Sequence, residues 1–84
     1  MALYLISYDL LNKKTFGDYE TLLNELRRLG AKEVLYSQWM WKSQSTSIQI
    51  RDHLRQFMHN DDRILVTSID GWASWNAMVD INKI

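Results

Sequence analysis

The sequence predicts a small α+β domain in which an antiparallel sheet carries two helices on one face. Strand-like apolar segments alternate with two amphipathic helical segments, and the connections between them are short. With 84 residues the chain forms one domain, residues 1–84. A chain of this size buries only roughly 60% of its unfolded surface. Because it has no cysteine for disulfides, we expect oligomerisation to add stability.

The first element is a strand over residues 2–9 that ends at a carboxylate. The strand is almost continuously apolar, which is typical of a central strand covered on both faces. Asp9 closes it, and a polar turn follows at residues 12–14. An acid at the end of a buried strand is held rigidly at the sheet boundary, which makes Asp9 the first candidate for a metal ligand or catalytic group. The alternative role is structural, with Asp9 capping the following turn.

The second element is a helix over residues 18–29. Asp18 is the expected N-cap and Gly30 suits the left-handed exit. One helical face collects the apolar side chains, namely Tyr19, Leu22, Leu23, Leu26 and Leu29. This spacing predicts an amphipathic helix that covers a sheet.

Residues 32–43 are rich in valine, tyrosine and tryptophan, which favours β-structure. The segment is long for a single strand. Two interpretations stay open, a pair of strands or one strand bent near Ser37-Gln38.

A second helix follows a Ser/Thr-rich turn at residues 43–47 and extends to about Asn60. Its apolar face consists of Ile50, Leu54, Phe57 and Met58. Arg51, Arg55 and His59 recur every four residues and share a stripe. Since arginine pairs with phosphate through two parallel hydrogen bonds, this stripe is a candidate contact for a nucleic-acid backbone. The alternative is a solvated helix face paired with neighbouring aspartates.

A further strand covers residues 63–69, and Asp70-Gly71 ends it. The tail, residues 71–84, is apolar without a clear period, and residues 78–84 read as an added edge strand. The resulting order predicts a ferredoxin-like β-α-β-β-α-β plait with both helices on one face of an antiparallel sheet. A three-stranded α/β unit with parallel pairing is the alternative.

Four tryptophans are many for a chain of this length. We expect Trp39, Trp41, Trp72 and Trp75 to lie at an interface, with the tail packing on a partner subunit across a two-fold axis. The alternatives are that they fill the core or that they stack on bases. A homodimer and a larger protein complex are therefore the expected partners.

The formal net charge is zero, which argues against a large phosphate footprint. The candidate phosphate contacts are Lys13, Lys14, Arg51 and Arg55. No apolar run approaches the ~20 residues of a membrane helix. The absence of cysteine suits a reducing compartment, so the predicted location is cytoplasmic with no membrane partner. The chain carries no glycine-rich phosphate loop and no Ser-His-Asp signature.

Two short motifs carry a family resemblance. Residues 8–10, Tyr-Asp-Leu, and residues 34–39, which contain Tyr36-Ser37, are similar to the first two strands of the small CRISPR-associated endoribonuclease family. The resemblance favours the standalone Cas-like branch, or the related VapD toxin branch, over a protein of a CRISPR operon. The resemblance implies a ferredoxin-like homodimer in which Asp9 and its symmetry mate share one Mg²⁺ or Mn²⁺. Such a cation would activate water and stabilise charge on phosphate during cleavage of RNA or DNA.

Three functions are therefore in competition. The first is a Cas-like homodimer acting as a metal-dependent endonuclease, with Asp9 as the ligand from each subunit. The alternative is a non-catalytic dimeric scaffold or regulatory module that binds protein or nucleic acid. The third is a small-molecule sensor that uses the open face of the sheet as a pocket, although no residue in the sequence selects a ligand.

Overall fold

Four strands and two α-helices form the described part of the chain. The computed structural model describes residues 1–12 and 19–84. The elements are β1 (Ala2–Asp9), α1 (Glu20–Leu29), β2 (Lys32–Leu35), β3 (Gln38–Ser43), α2 (Ser47–Arg55), β4 (Arg63–Ile69) and a short 3₁₀ helix (Ile81–Lys83). The predicted α+β class is confirmed.

The strands form one antiparallel sheet in the order β2-β3-β1-β4. The pair β1 and β3 lies in the centre, and β2 and β4 form the edges. Each helix connects two strands that are separated by one intervening strand, which is the split β-α-β connection of a ferredoxin-like plait. The alternative of a three-stranded parallel unit is wrong, because every described strand pair is antiparallel.

One face of the sheet packs against both helices and holds the main core. Alternate residues of β1 point into it, as the period of a strand requires. The buried members are Tyr4, Ile6, Tyr8, Tyr19, Leu22, Leu26, Ala31, Trp39, Ile50 and Leu54. The indole N–H of Trp39 donates a 2.9 Å hydrogen bond to the Tyr8 hydroxyl, which pairs two polar groups that burial would otherwise leave unsatisfied.

The second face of the sheet is covered in part by the tail of the same chain. Val34, Met40 and Ile81 form a smaller buried cluster there. The Met78 N–H donates to the carbonyl of Val34 at 2.9 Å, so the tail reaches the outer side of β2. The prediction of an added edge strand at residues 78–84 is wrong. This segment forms bends and the 3₁₀ helix, because Ile81 packs down onto the sheet instead of extending beside it.

The helix boundaries differ from the predicted ones. Helix α1 begins at Glu20 and ends before Gly30, whose φ of 93° gives the expected left-handed exit. The predicted N-cap, Asp18, lies outside the described residues. Helix α2 begins with a capping box formed by Thr46 and Gln49. It ends at Arg55, five residues before the predicted end, because residues 56–58 turn away with shorter-range hydrogen bonds.

Residues 32–43 form two strands joined by a tight turn at Tyr36-Ser37. Ser37 has a φ of 62°, in the left-handed region that a two-residue hairpin turn uses to reverse the chain. The register shifts between Glu33 and Leu35, so β2 is both short and irregular. Of the two open interpretations, the strand pair is the one found. Throughout the described ranges, no helix has the length and apolarity needed to cross a membrane.

Candidate functional site

Asp9 lies at the end of β1, on the sheet face opposite the helices. It is the last residue of the strand and is exposed. Its register partner on β4 is Arg63. The Asp9 Oδ2 atom lies 3.7 Å from Arg63 Nη1, and both side chains are more than half exposed. Asp9 is therefore the last residue of β1, and β4 places the cation Arg63 beside it.

A small cavity of about 160 Å³ lies at this end of the sheet. Its lining residues are Ser7, Tyr8, Asp9, Arg63, Ile64 and Leu65. The β2–β3 turn lies nearby, because the Tyr8 N–H donates to the carbonyl of Ser37 at 3.2 Å. An exposed carboxylate beside an arginine can bind a polar group of a ligand, although water competes for such a site.

A second carboxylate, Asp62, organises the start of β4. Its Oδ1 accepts hydrogen bonds from the Leu11 N–H at 2.8 Å and from the Tyr19 hydroxyl at 2.7 Å. The Asn12 side-chain amide donates to the same oxygen at 3.3 Å, and the His59 N–H donates to Oδ2 at 2.8 Å. Asp62 thus ties together the segment after β1, the start of α1 and the turn before β4.

The pKa of Asp62 reflects this network. Burial raises the pKa, but the hydrogen bonds from Tyr19, Leu11, His59 and Asn12 outweigh it and hold the pKa below its usual value. Burial also raises the pKa of the Tyr19 hydroxyl, and its bond to the Asp62 carboxylate raises that pKa further. Both oxygens of Asp62 already accept donors, so this acid acts in folding and is not a free metal ligand.

Within residues 1–12 and 19–84, no group of three or more metal-ligating side chains is gathered in one place. Among the described residues, the neighbour of the Asp9 carboxylate is the cation Arg63 and not a second acid. The two predicted phosphate contacts in the first turn, Lys13 and Lys14, lie outside the described residues.

The predicted basic stripe on the second helix is only partly formed. Arg51 and Arg55 lie on α2 and are exposed. The guanidinium of Arg51 pairs with Asp52, with its Nη2 atom 2.9 Å from Oδ1. His59 lies beyond the end of α2, where its ring packs edge-on against Tyr19 at a centroid distance of 5.5 Å. The stripe therefore consists of two arginines, one of which is paired as a solvated helix face would be.

The four tryptophans divide into two pairs. Trp39 is 3% exposed and Trp41 is half-buried, and both belong to the core beneath the helices. Trp72 and Trp75 lie in the tail, where they are 40% and 88% exposed. The tail pair is therefore the more exposed of the two pairs.

An acid-centred cluster that the sequence reasoning missed links the two helices. Glu25 accepts two hydrogen bonds from Arg28, at 2.7 and 2.6 Å, and lies 2.5 Å from the Nε2 atom of His53. The bonds from Arg28 and then from His53 lower the pKa of Glu25 to about 2. The spacing of Glu25 and Arg28 on one helix is a usable sequence signal. The contact with His53 depends on how the helices pack, which no local pattern shows.

Arg63 was also missed as a neighbour of Asp9. Its place at the start of the last strand was visible, but its pairing with Asp9 follows only from the β1–β4 register. The contact becomes predictable once β1 and β4 are paired antiparallel, with the end of one strand beside the start of the other.

No protein-family model matches this chain. The resemblance carried by residues 8–10 and 34–39 therefore rests on those short motifs and on the order of the elements. Family membership and the shared cation stay predictions.

Proposed function

We propose that this chain is a Cas-like homodimeric interaction module and not an enzyme. The observation that carries the proposal is the set of large apolar side chains left at the surface. Leu65 on β4 is 64% exposed, and Trp75 and Met78 in the tail are 88% and 61% exposed. Full burial of one such side chain is favourable by about 1.5–3 kcal/mol, so association through these groups stabilises a small domain.

The exposed tail residues favour a protein as the further partner. Trp72, Trp75 and Met78 project from the segment that follows β4. Tryptophan and methionine are enriched in protein interfaces, and the zero net charge of the chain argues against a large nucleic-acid footprint. The module would thus join a second copy of itself to another protein.

The surroundings of Asp9 support a non-catalytic role. The carboxylate is exposed and is paired with Arg63, which already compensates its charge. A shared cation would require the Asp9 of a second subunit at close range. An ion pair that is exposed to water contributes little to stability.

Two measurements on the wild-type protein test this proposal. Sedimentation equilibrium is expected to give about twice the 10.0 kDa mass of the chain. Incubation with single- and double-stranded RNA and DNA, in Mg²⁺ or Mn²⁺, is expected to give no cleavage, and Asp9→Ala should behave in the same way. A monomer at all concentrations, or a metal-dependent cleavage that Asp9→Ala abolishes, would overturn the proposal.

A second candidate function, metal-dependent cleavage of RNA or DNA, is favoured by one specific observation. Asp9 and Arg63 line the same small cavity, so a carboxylate and a phosphate-binding cation lie side by side. In that reading, Asp9 from each of two subunits would hold the metal and Arg63 would bind phosphate. Cleavage that is lost in both Asp9→Asn and Arg63→Gln, with the fold intact by circular dichroism, would support this candidate over the first.

A further inference from the structure

The outer edge of β4 is long and apolar. It is an edge strand of seven residues, Arg63–Ile69, and its sequence contains no proline. Its pairing with β1 runs without a bulge. The one charged residue is Arg63, at the first position. Natural proteins protect exposed edges with proline, bulges, charges or a covering segment, and an edge without these features is a template for another strand.

The backbone groups that β4 directs outward follow from the hydrogen bonds of β1. The Tyr8 N–H donates to Ser37, so the backbone groups of Tyr8 face β3. Those of Ser7 therefore face β4, where Ser7 pairs with Leu65. By the same alternation, the N–H and C=O groups of Ile64 and Val66 point away from the sheet. Among the described residues, none bonds to these outward groups.

A groove lined by apolar and polar side chains runs beside this edge. A space of about 220 Å³ separates β4 from the first turns of α2, and Ile48, Arg51, Ile64, Leu65 and Val66 help to line it. Ile48 and Leu65 are 60% and 64% exposed. An incoming strand would therefore find both free backbone groups and a place for its side chains.

We propose that two copies of this chain pair antiparallel through β4, so that the two sheets become one continuous eight-stranded sheet. The inference rests on the proposed homodimer and names the surface that forms it. A two-fold axis perpendicular to the sheet passes beside Leu65, which then faces the Leu65 of the second copy. Ile64 faces Val66, and Arg63 faces Thr67. Apolar side chains thus meet apolar ones, and Arg63 meets a neutral hydroxyl.

Side-chain chemistry selects this register. In the dimer, residues that face each other across the two β4 strands must point to the same side of the continuous sheet. The two-fold axis therefore passes beside a residue and not between two residues. The possible registers are those centred on successive residues of β4. An axis at Val66 would place Asp62 opposite Asp70 of the other copy, and like charges directly opposite are destabilising. An axis at Thr67 would place Ile64 opposite Asp70. The register centred on Leu65 avoids the like-charge pair and, unlike the register centred on Thr67, brings two apolar side chains together at the axis.

This pairing has a consequence for Asp9. Each Asp9 lies on β1, so the two copies are separated by three strand spacings, which is at least ~14 Å. A pair of carboxylates at that distance cannot share one ion, because hard cations bind oxygen at about 2.0–2.6 Å. The β4 dimer therefore agrees with an interaction module and excludes the shared-cation nuclease.

Single cysteines test the inference directly, since the natural chain has none. Residues that face each other in a non-hydrogen-bonded antiparallel pair have Cα atoms about 4.5 Å apart, within reach of a disulfide. Leu65→Cys is expected to form a covalent dimer under mild oxidation. Thr67→Cys is the register control, because two copies of Thr67 would lie about 13 Å apart along the strand. Leu35→Cys on β2 is the control for random collision.

Each outcome decides between the claims. Rapid cross-linking of Leu65→Cys alone supports the β4 dimer. Cross-linking of Thr67→Cys in its place, or no selective cross-linking while sedimentation still gives a dimer, overturns the inference but leaves the homodimer intact. The latter result would also be expected if β4 accepts a strand from a different protein. A monomer in sedimentation overturns both the inference and the proposed function.

Discussion

The two edges of the sheet are built differently. The edge at β2 is four residues long, has a register shift, and carries Lys32 and Glu33. The tail of the same chain covers it through the bond from Met78 to Val34. The edge at β4 is seven residues long, regular and almost uncharged.

The two edges therefore differ in whether another strand can pair with them. At β2, irregularity, charge and a covering segment together prevent pairing with another strand. Within the described residues, β4 has no bulge and no covering segment, and Arg63 at its first position is its one charged residue. The neighbouring Asp62 network ties the start of this strand to the segment after β1. We interpret the contrast to mean that the β2 edge is covered within one chain, whereas the β4 edge pairs with a second copy.

The largest expected effect is on the closed edge. Ile81 is 7% exposed and anchors the tail on the second face of the sheet. Ile81→Ala should therefore lower the free energy of unfolding by about 2–4 kcal/mol. Urea denaturation followed by circular dichroism measures this. The control is Trp75→Ala, which should change the stability of the protomer by less than about 0.5 kcal/mol because Trp75 is exposed. Equal losses in both variants would contradict the role given to the tail.

The next largest effect is expected at Asp62, whose hydrogen bonds hold the start of β4. Asp62→Ala removes the acceptor of Leu11, Tyr19 and His59, and should cost about 1–2 kcal/mol of unfolding free energy. Asp61→Ala is the matched control, because its described hydrogen bond is a single one from Asn12. Thermal denaturation of the two variants separates them. A loss in Asp61→Ala as large as that in Asp62→Ala would show that the network is not centred on Asp62.

The helix layer, away from both edges, supplies a pH-dependent effect. The pKa of Glu25 is about 2 in the folded protein against 4.5 for an unperturbed carboxyl. A depressed pKa in the folded state means that the stabilisation is present above pH 4.5 and is lost as pH falls towards 2. Glu25→Gln should flatten the loss of stability across that window, as measured by urea midpoints at several pH values. If the stability of Glu25→Gln depends on pH as that of the wild type does, the ion cluster around Glu25 does not supply the effect. If Glu25→Gln also changes dimerisation, the cluster is not independent of the sheet edges.

The smallest effect on the protomer is expected from charges placed at the two edges. Leu65→Lys and Leu35→Lys both alter exposed leucines and should shift unfolding of the monomer by less than about 0.5 kcal/mol. Their effect on association should differ sharply. Leu65→Lys places two like charges at the two-fold axis and should weaken the dimer at least tenfold in sedimentation, whereas Leu35→Lys should leave it unchanged. Equal behaviour of the two variants would remove the contrast between the edges.

The sequence was sufficient for the class, the order of elements and the helix-facing core. The reason is that apolar periodicity and caps are local, as the buried residues Leu22, Leu26, Ile50 and Leu54 show. The end of α2 and the path of the tail were predicted wrongly. Phe57 and Met58 continue the helical apolar pattern, but they pack on the core from a turn that follows the helix. The apolar residues of the tail pack on the face of its own sheet. Their pattern therefore reflects this contact and not pairing as an edge strand.

The candidate site was predictable only in part. Asp9 was found because a carboxylate after an apolar run is conspicuous in sequence. Arg63, the Asp62 network and the Glu25–His53 contact depend on pairing between distant segments, with separations of 28 to 54 positions that no local pattern encodes. The predicted roles of Arg55, Trp72 and Trp75 as binding residues stay predictions.

Residue-resolved amide exchange of the ¹⁵N-labelled protein tests the open edge most directly. The amides of Arg63, Leu65 and Thr67 face β1 and should be protected under all conditions. The amides of Ile64 and Val66 face outward, so their protection should appear at concentrations where the dimer forms and vanish in Leu65→Lys. If Ile64 and Val66 exchange freely while the protein sediments as a dimer, the β4 edge is not the interface.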